Sequence, residues 1–327
     1  MRERILTRLQ RAAGEYVSGE ELAAELGVSR TAVWKRVAEL KAAGYPIESC
    51  TRLGYRLPPG AGALDAPLFA GRCIRVEETD STNRLARELW EAGAIGHGDV
   101  VVAVRQTQGR GRRGRRWESP PGGLWFSLLL RPSLAPAQVA PFSLVCAVAV
   151  AEALQCFVPV PVQVKWPNDV LVGGRKAAGV LLEMQAEFDR IEYVIAGIGI
   201  NVNLDREVFP APLRGLVTSL QAEAGAPLPL ETVLQEVLGG LQACYGEFVA
   251  SGWPPFRRRF HRLCAHRGRL IRVCQGGSRL EGIDEGVDAD GCLRLRLDDG
   301  RLVRVAAGDV VFDSGLDAGG DECTSSG

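Results

Sequence analysis

The chain is 327 residues long, 46% of them hydrophobic, with 39 basic and 39 acidic side chains. That length suits two or three domains, and zero net charge excludes a general polyanion binder, so any nucleic-acid contact must be local. Nine cysteines without a C-x-x-C pair, beside three histidines, argue against a zinc site and fit reduced thiols. The first segment lacks the apolar centre of a secretory leader, and no apolar run of membrane-spanning length is read after it. The expectation is a cytoplasmic protein with no membrane partner.

Ile5, Leu6 and Leu9 suggest a first helix. Ser18, with Glu21 three residues on, spells a capping box for a second helix carrying Leu22, Ala23 and Leu26. Gly27 supplies a tight turn, and Ser29 caps a third helix with Val33, Val37 and Leu40 along one side. Helix, glycine turn and helix at this spacing read as helix-turn-helix. The YPIESC and GYRL segments that follow read as two short strands, a wing. The third helix offers Ser29, Arg30, Thr31, Trp34, Lys35 and Arg36, side chains suited to phosphates and base edges. A small helical module that binds only protein is the alternative.

Residues 58–65, PPGAGALD, read as a linker. Strands are predicted over 74–77, 100–105, 124–130, 162–165, 179–185 and 191–201, and helices over 82–92, 141–157 and 230–251. Most strands follow one another without a helix between them, which predicts an α+β domain with a mixed, mostly antiparallel sheet. From about 265 to 313, evenly spaced short strands with Gly-Gly, Asp-Gly and Asp-Asp-Gly turns predict a small β-barrel. The expected domains are 1–62, 65–262 and 265–313, with 314–327 a disordered tail.

Four segments carry chemistry. In RQTQGRGRRGRRW, the run Gly109 to Gly114 matches G-x-G-x-x-G, but Pro120 and Pro121 and a new strand follow where the dinucleotide fingerprint needs a helix. What remains is a loop of three glycines and five arginines, Arg110, Arg112, Arg113, Arg115 and Arg116, expected to be disordered when empty and ordered by a multiply charged anion. A solvated basic loop or a nucleic-acid contact is equally open. In VKWPNDVLVGGRKAAGVLLE, Asn168 and Asp169 offer oxygens to Mg²⁺ or a ribose, and the Gly173-Gly174 hairpin places Lys165 and Lys176 on adjoining strands. Only four basic residues are lysine, Lys35, Lys41, Lys165 and Lys176; where an arginine-rich chain keeps lysine, a compact point charge is called for. A hairpin with a solvated lysine is the plain alternative. TDSTN, residues 79–83, is an N-cap cluster or a set of groups for a neutral polar ligand such as a urea. AGIGINVN, residues 196–203, has strand glycines that permit close approach of a ligand, or mark a bulge.

In this order, TDSTN, QTQGRGRRGRRW, KWPNDV, GRKAAGVLLE and GIGINVN resemble the bacterial biotin–protein ligases. With the winged head, the chain is similar to the bifunctional ligases that also repress the biotin operon, over roughly residues 15–312. The pairing of GRGRRGR with KWPND is highly specific; Gln108 stands where these ligases often carry a small residue. The resemblance implies a multidomain α+β chain: winged helix-turn-helix, central ligase domain and SH3-like C-terminal barrel. It implies that biotin and MgATP form biotinyl-5′-AMP, from which biotin passes to a lysine of the biotin carboxyl carrier protein of acetyl-CoA carboxylase. Operator DNA of biotin genes and a ligand-promoted homodimer, with biotinyl-5′-AMP as corepressor, are the further implied partners. Carried onto this chain, Lys176, Arg112 and Arg110 are catalytic. Ser81, Thr82, Asn83, Gln106, Arg110, Arg112, Arg113, Lys176 and Gly179 bind biotin, with the Gly109 backbone nearby. Arg112, Trp117, Asn168, Asp169, Lys176 and Asn201 face the nucleotide, and Asp169 takes Mg²⁺. A lipoate-type acyl-adenylating ligase and a ligand-sensing transcription factor without ligase activity are the competing readings.

Overall fold

The computed structural model describes residues 14–42, 47–50, 53–56, 71–188, 190–275 and 278–312, with positions 4, 5, 8, 9 and 12 before them. The expected linker and C-terminal tail lie outside the described residues, as does Leu6. In the head, helix α1 (Gly19–Leu26) starts at Ser18, whose hydroxyl accepts from the Glu21 N–H while the Glu21 carboxylate accepts from the Ser18 N–H. It stops at Gly27, in the left-handed region at φ 67°. Helix α2 (Arg30–Ala42) follows, with Ser29 accepting from the Ala32 N–H. Ile5, Leu9, Val17, Leu22, Val33, Val37 and Leu40 form one apolar core. Strands β1 (Glu48–Cys50) and β2 (Gly54–Arg56) pair antiparallel as the wing. Gly54 is obligatory there: its φ is 102°, and a Cβ would stand 2.2 Å from the Val17 carbonyl oxygen.

The central unit is a seven-stranded mixed sheet. Its strands are β3 (Cys73–Thr79), β4 (Val100–Gln106), β5 (Leu124–Leu130), β6 (Val162–Lys165), β7 (Asp169–Val172), β8 (Arg175–Glu187) and β9 (Arg190–Ile200), in the order β3-β4-β5-β9-β8-β7-β6. Only β3 and β4, joined through helix α3 (Thr82–Glu91), run parallel. Helices α4 (Pro136–Val139), α5 (Phe142–Leu154), α6 (Leu220–Ala224), α7 (Leu230–Ser251) and α8 (Pro254–Leu263) complete it. Helix α5 packs against β6, β7 and β8 and against α7 and α8, while α3 lies with β4, β5 and β9.

Four elements of this unit escaped the sequence pattern: strand β7, the short helices α4 and α6, and helix α8. Strand β7 is four residues long and hid inside its hairpin, so it lies between Lys165 and Lys176, which are not on adjoining strands. Helix α8 shows the pattern only one buried pair, Phe256 and Phe260, among its basic residues. The segment Pro136–Phe157 is long and apolar enough by composition to cross a membrane, against the expectation that no such run exists; 72% of its window is buried, as in a core helix.

Strands β10 (Leu270–Gln275), β11 (Ser278–Val287), β12 (Leu293–Arg296), β13 (Leu302–Val305) and β14 (Asp309–Val311) form a second, antiparallel sheet in the order β13-β12-β11-β10-β14. This five-stranded sheet is compatible with the expected barrel, with no β13–β14 pairing among the described residues to close it. Its Ile271, Val273, Leu293, Leu295 and Val310 join the same apolar core as α5 and α7. Among the described residues Cys73, Cys146, Cys156, Cys244, Cys264 and Cys292 are thiols, whereas Cys274 is disulfide-bonded and departs from the all-thiol reading.

Candidate active site

The run LWFSLLL of β5 is buried at every position because both sheet faces are covered. Leu124, Phe126, Leu128 and Leu130 enter the main core. The alternate residues face the other way. Leu129 packs with Ala86, Val101 and Ile195 beneath α3, and Trp125 packs with Leu204 and Phe209. Between them stands Ser127, a lone hydroxyl in an apolar strand.

Ser127 anchors a buried polar network. Its Oγ lies 2.7 Å from both Thr82 Oγ1 and Asn83 Oδ1. One hydroxyl has one proton and an amide oxygen only accepts, so Ser127 donates to Asn83 and Thr82 donates to Ser127. Gln106 Oε1 accepts from the Thr82 backbone N–H at 2.8 Å, and Gln106 Nε2 donates to Ser119 Oγ at 2.8 Å. Asn83 lies flat on Gly197, where a Cβ would stand 2.1 Å from Asn83 Oδ1. Ser81 holds the N-cap position of α3 but spends no side-chain bond on the helix, unlike Ser18 in the head. TDSTN is therefore more than a cap. Gly197→Ala should displace Asn83, cost about 1–3 kcal/mol of stability and weaken binding of a ligand seated on the network by roughly tenfold or more; calorimetric titration and thermal melts check both.

Two residues along each strand runs a second row. Trp125 pairs with Gly199, Gly199 with Gly179, Gly179 with Asp169 and Asp169 with Lys165. The two glycines make a bare shelf, and the Trp117 indole rests on it. A Cβ on Gly199 would stand 2.6 Å from Trp117 Nε1, and one on Gly179 3.3 Å from its ring. Among the described residues Trp117 Nε1 is buried without a hydrogen-bond partner, and so is Asn201 Oδ1, whose amide nitrogen donates to the Thr218 carbonyl. Orphaned buried polar atoms beside a bare shelf mark a place for a ligand.

Lys176 and Gly179, three residues apart, would face opposite sides of a regular strand. The β7–β8 register breaks between them, with Ala178 opposite Val170 and Lys176 opposite Leu171, so Ala177 is the extra residue. That bulge brings Lys176 onto the shelf face. Its Nζ lies 2.7 Å from Asp169 Oδ1 and 5.0 Å from the Trp117 ring centroid.

The arginine loop, expected to be disordered when empty, has a defined path. Trp117 N–H donates to the Gly109 carbonyl, Gly111 N–H to the Arg115 carbonyl, and Gln108 N–H to the Asp80 carbonyl. Its charges are answered from the C-terminal sheet. Arg115 lies 2.7 Å and Arg113 3.4 Å from Asp309 Oδ2. Arg112 donates to Asn168 Oδ1 at 3.4 Å and to the Gly308 carbonyl at 3.3 Å, and burial pulls its guanidinium below its ordinary pKa. Arg110 is exposed and makes no hydrogen bond or ion pair among the described residues.

The only Cys, His and carboxylate cluster among the described residues lies behind the KWPND turn: Cys264, His266 and Asp284. His266 Nε2 accepts from the Trp166 N–H at 3.1 Å, and its other ring nitrogen lies 2.7 Å from Asp284 Oδ2. Nε2 is therefore unprotonated and Nδ1 carries the proton. Burial pushes the Cys264 thiol up to about 12. With both ring nitrogens committed, the cluster is a strut that fixes the turn against the C-terminal sheet, and Trp166 Nε1 adds a bond to the Gly291 carbonyl.

In the head, Arg30, Thr31, Trp34 and Lys35 form an exposed stripe opposite Val33, Val37 and Leu40. Arg36 turns instead to Glu39, at 2.7 Å.

Three known families match in chain order: an HTH domain over residues 2–56, the biotin/lipoate A/B protein ligase family over 76–201, and the biotin protein ligase C terminal domain over 266–313. The bifunctional ligase/repressor BirA of Bacillus spizizenii is 34% identical over 320 residues, covering 95% of this chain and 98% of that protein. The chain belongs to the bifunctional biotin–protein ligase and repressor family. The Escherichia coli BirA is 34% identical across 88% of this chain and 90% of its own. A solved biotin protein ligase from Aquifex aeolicus, in complex with biotin and ATP, matches with a TM-score of 0.64 at 30% identity, covering 73% of this chain and 97% of that one.

Within this ligase chain, Thr82, Asn83, Gln106, Trp117, Lys176 and Gly179 converge on one sheet face, and Asn168 and Asp169 border it. Arg110 is exposed, and Arg113 lies at Asp309. Sequence reasoning passed over Ser119, Ser127 and Asp309. Ser127 was detectable as the single hydroxyl in LWFSLLL; Asp309 was not, because only the fold brings it to the loop.

Proposed function

We propose that this chain joins biotin to the α-phosphate of MgATP and passes it to a lysine of the biotin carboxyl carrier protein of acetyl-CoA carboxylase. One observation carries the assignment of groups to substrate: a polar network and a lysine–carboxylate pair stand at two ends of one glycine shelf. A urea has two N–H donors and one carbonyl acceptor. Ser81, Thr82, Asn83, Gln106 and Ser127 provide the matching mixture, and Ser119 fixes Gln106. The acyl carboxylate then lies toward Lys176. Attack on the α-phosphorus forms the acyl–phosphate bond, and the electron pair of the broken bond leaves with pyrophosphate. Two anions must meet, so positive charge at Lys176 and Arg112 lowers the barrier. The orphaned Trp117 Nε1 and Asn201 Oδ1 suit the edges of a nucleotide. Asp169 supplies one carboxylate for Mg²⁺, which typically takes one or two together with phosphate oxygens; bound there, the ion would neutralise the phosphate chain. The arginine loop and Trp117 exclude water from the adenylate. Mass spectrometry of a carrier domain incubated with protein, biotin and MgATP should find one added biotinyl group; an unmodified carrier contradicts the assignment.

The head supplies DNA recognition. Arg30, Thr31, Trp34 and Lys35 face operator DNA of biotin genes, and one winged head reads one half-site, so repression needs a homodimer promoted by biotinyl-5′-AMP. Use of ATP and operator DNA places the protein in the cytoplasm. Deleting residues 1–60 should abolish an operator footprint while carrier biotinylation persists. A truncated protein that still protects DNA would overturn the division of labour, and an unchanged sedimentation coefficient with biotinyl-5′-AMP would overturn the dimer.

A further inference from the structure

The shelf row does not end at Asp169. It ends on Lys165, the register partner of Asp169 at the edge of the sheet. Directly paired residues share a sheet face, so Lys165 belongs to the face of Gly179 and Gly199, while Val162 and Val164 on either side of Gln163 enter the main core. The charges acting on Lys165 come from Asp169, Lys176, Asp309 and Arg115. Both carboxylates are already engaged, Asp169 with Lys176 at 2.7 Å and Asp309 with Arg115 at 2.7 Å. Lys165 makes no hydrogen bond or ion pair among the described residues. It is half-buried, and desolvation pulls its ammonium below the ordinary lysine value. A partly desolvated cation without a partner is costly in isolation, and it is one of only four lysines among 39 basic residues.

We propose that Lys165 binds the β- and γ-phosphates of ATP and stabilises the departing pyrophosphate. The inference rests on the nucleotide reading of the shelf and adds a further cation to it, beside Lys176 and Arg112. Strands stand roughly 4.8 Å apart, so Lys165 begins two strands, roughly 10 Å, beyond Gly179. It therefore serves oxygens further along the phosphate chain than those facing Lys176. When the bond between the α-phosphorus and the bridging oxygen breaks, the electron pair and the new negative charge move onto pyrophosphate, toward this ammonium. No proton transfer is required.

Lys165→Ala and Lys165→Arg separate this role from a structural one. In Lys165→Ala, kcat/KM for ATP in pyrophosphate release should fall about 100-fold, and binding of a non-hydrolysable ATP analogue to the biotin-loaded protein should weaken about tenfold. Biotin binding, and biotin transfer from supplied biotinyl-5′-AMP to a carrier domain, should stay within about twofold, because pyrophosphate has already left. Lys165→Arg should recover part of the loss. Unchanged ATP kinetics and analogue binding, or an equal loss in both half-reactions and in biotin binding, overturns the proposal. If the unmodified protein releases no pyrophosphate, the ligase reading fails first and takes this inference with it.

Discussion

Lys176→Ala should lose adenylate formation while the protein still binds biotin. The loss in biotin-dependent pyrophosphate release should be about 10²–10³-fold, the size seen when one preorganised stabilising group is removed from a developing charge. The fold sets up this expectation twice. The Ala177 bulge spends a residue of sheet pairing to turn Lys176 onto the glycine shelf. Asp169 then holds its Nζ at 2.7 Å, beside Trp117. Biotin should still bind, because the network of Thr82, Asn83, Gln106, Ser119 and Ser127 stands at the other end of the shelf. Calorimetric titration with biotin, run beside the kinetics, distinguishes lost chemistry from lost folding. Full activity in the variant would remove Lys176 from the mechanism.

Arg112→Gly should make the adenylate escape. Arg112 is the one arginine of its loop tied to both the β6–β7 turn, through Asn168, and the C-terminal sheet, through the Gly308 carbonyl. Both bonds are long, so the pair is placed at the low end for charged hydrogen bonds, about 1.5–3 kcal/mol together, or roughly a 10- to 100-fold shorter residence of the intermediate. Released biotinyl-5′-AMP acylates any accessible lysine. Bystander protein in the reaction should therefore become biotinylated, which a streptavidin blot reads directly. If bystanders stay unlabelled and the adenylate co-purifies as it does with the unmodified protein, the loop is not held through Arg112.

Local rules were enough for the parts of the molecule built from local rules. The Ser18–Glu21 box and the Gly27 stop follow from spacing alone, and the structure has both of them. The glycines of GIGINVN were recognisable as positions of close approach, although what approaches them, Asn83 at Gly197 and Trp117 at Gly199, depends on long-range packing. Lys176 was readable as a point charge; the bulge that aims it was not, because a bulge is a property of two strands and the sequence presents one at a time. For the same reason Lys165 looked adjacent to Lys176, until β7 was found between them. The arginine loop was expected to be disordered on the strength of its own repulsion. Its counter-charge, Asp309, is about two hundred residues away in sequence, Arg113 to Asp309 being 196 apart.

Pyrophosphate release from purified protein with MgATP shows whether one shelf on the sheet joins biotin to ATP. Biotin should drive release, while lipoate and octanoate, which lack a urea to engage Ser127, Asn83 and Gln106, should not. Release with lipoate or octanoate in place of biotin would assign the shelf to a different acyl group. No release with any of the three acids, despite tight binding of biotin, would contradict the enzyme altogether and leave a chain that senses biotin through the same network and acts only through its winged head.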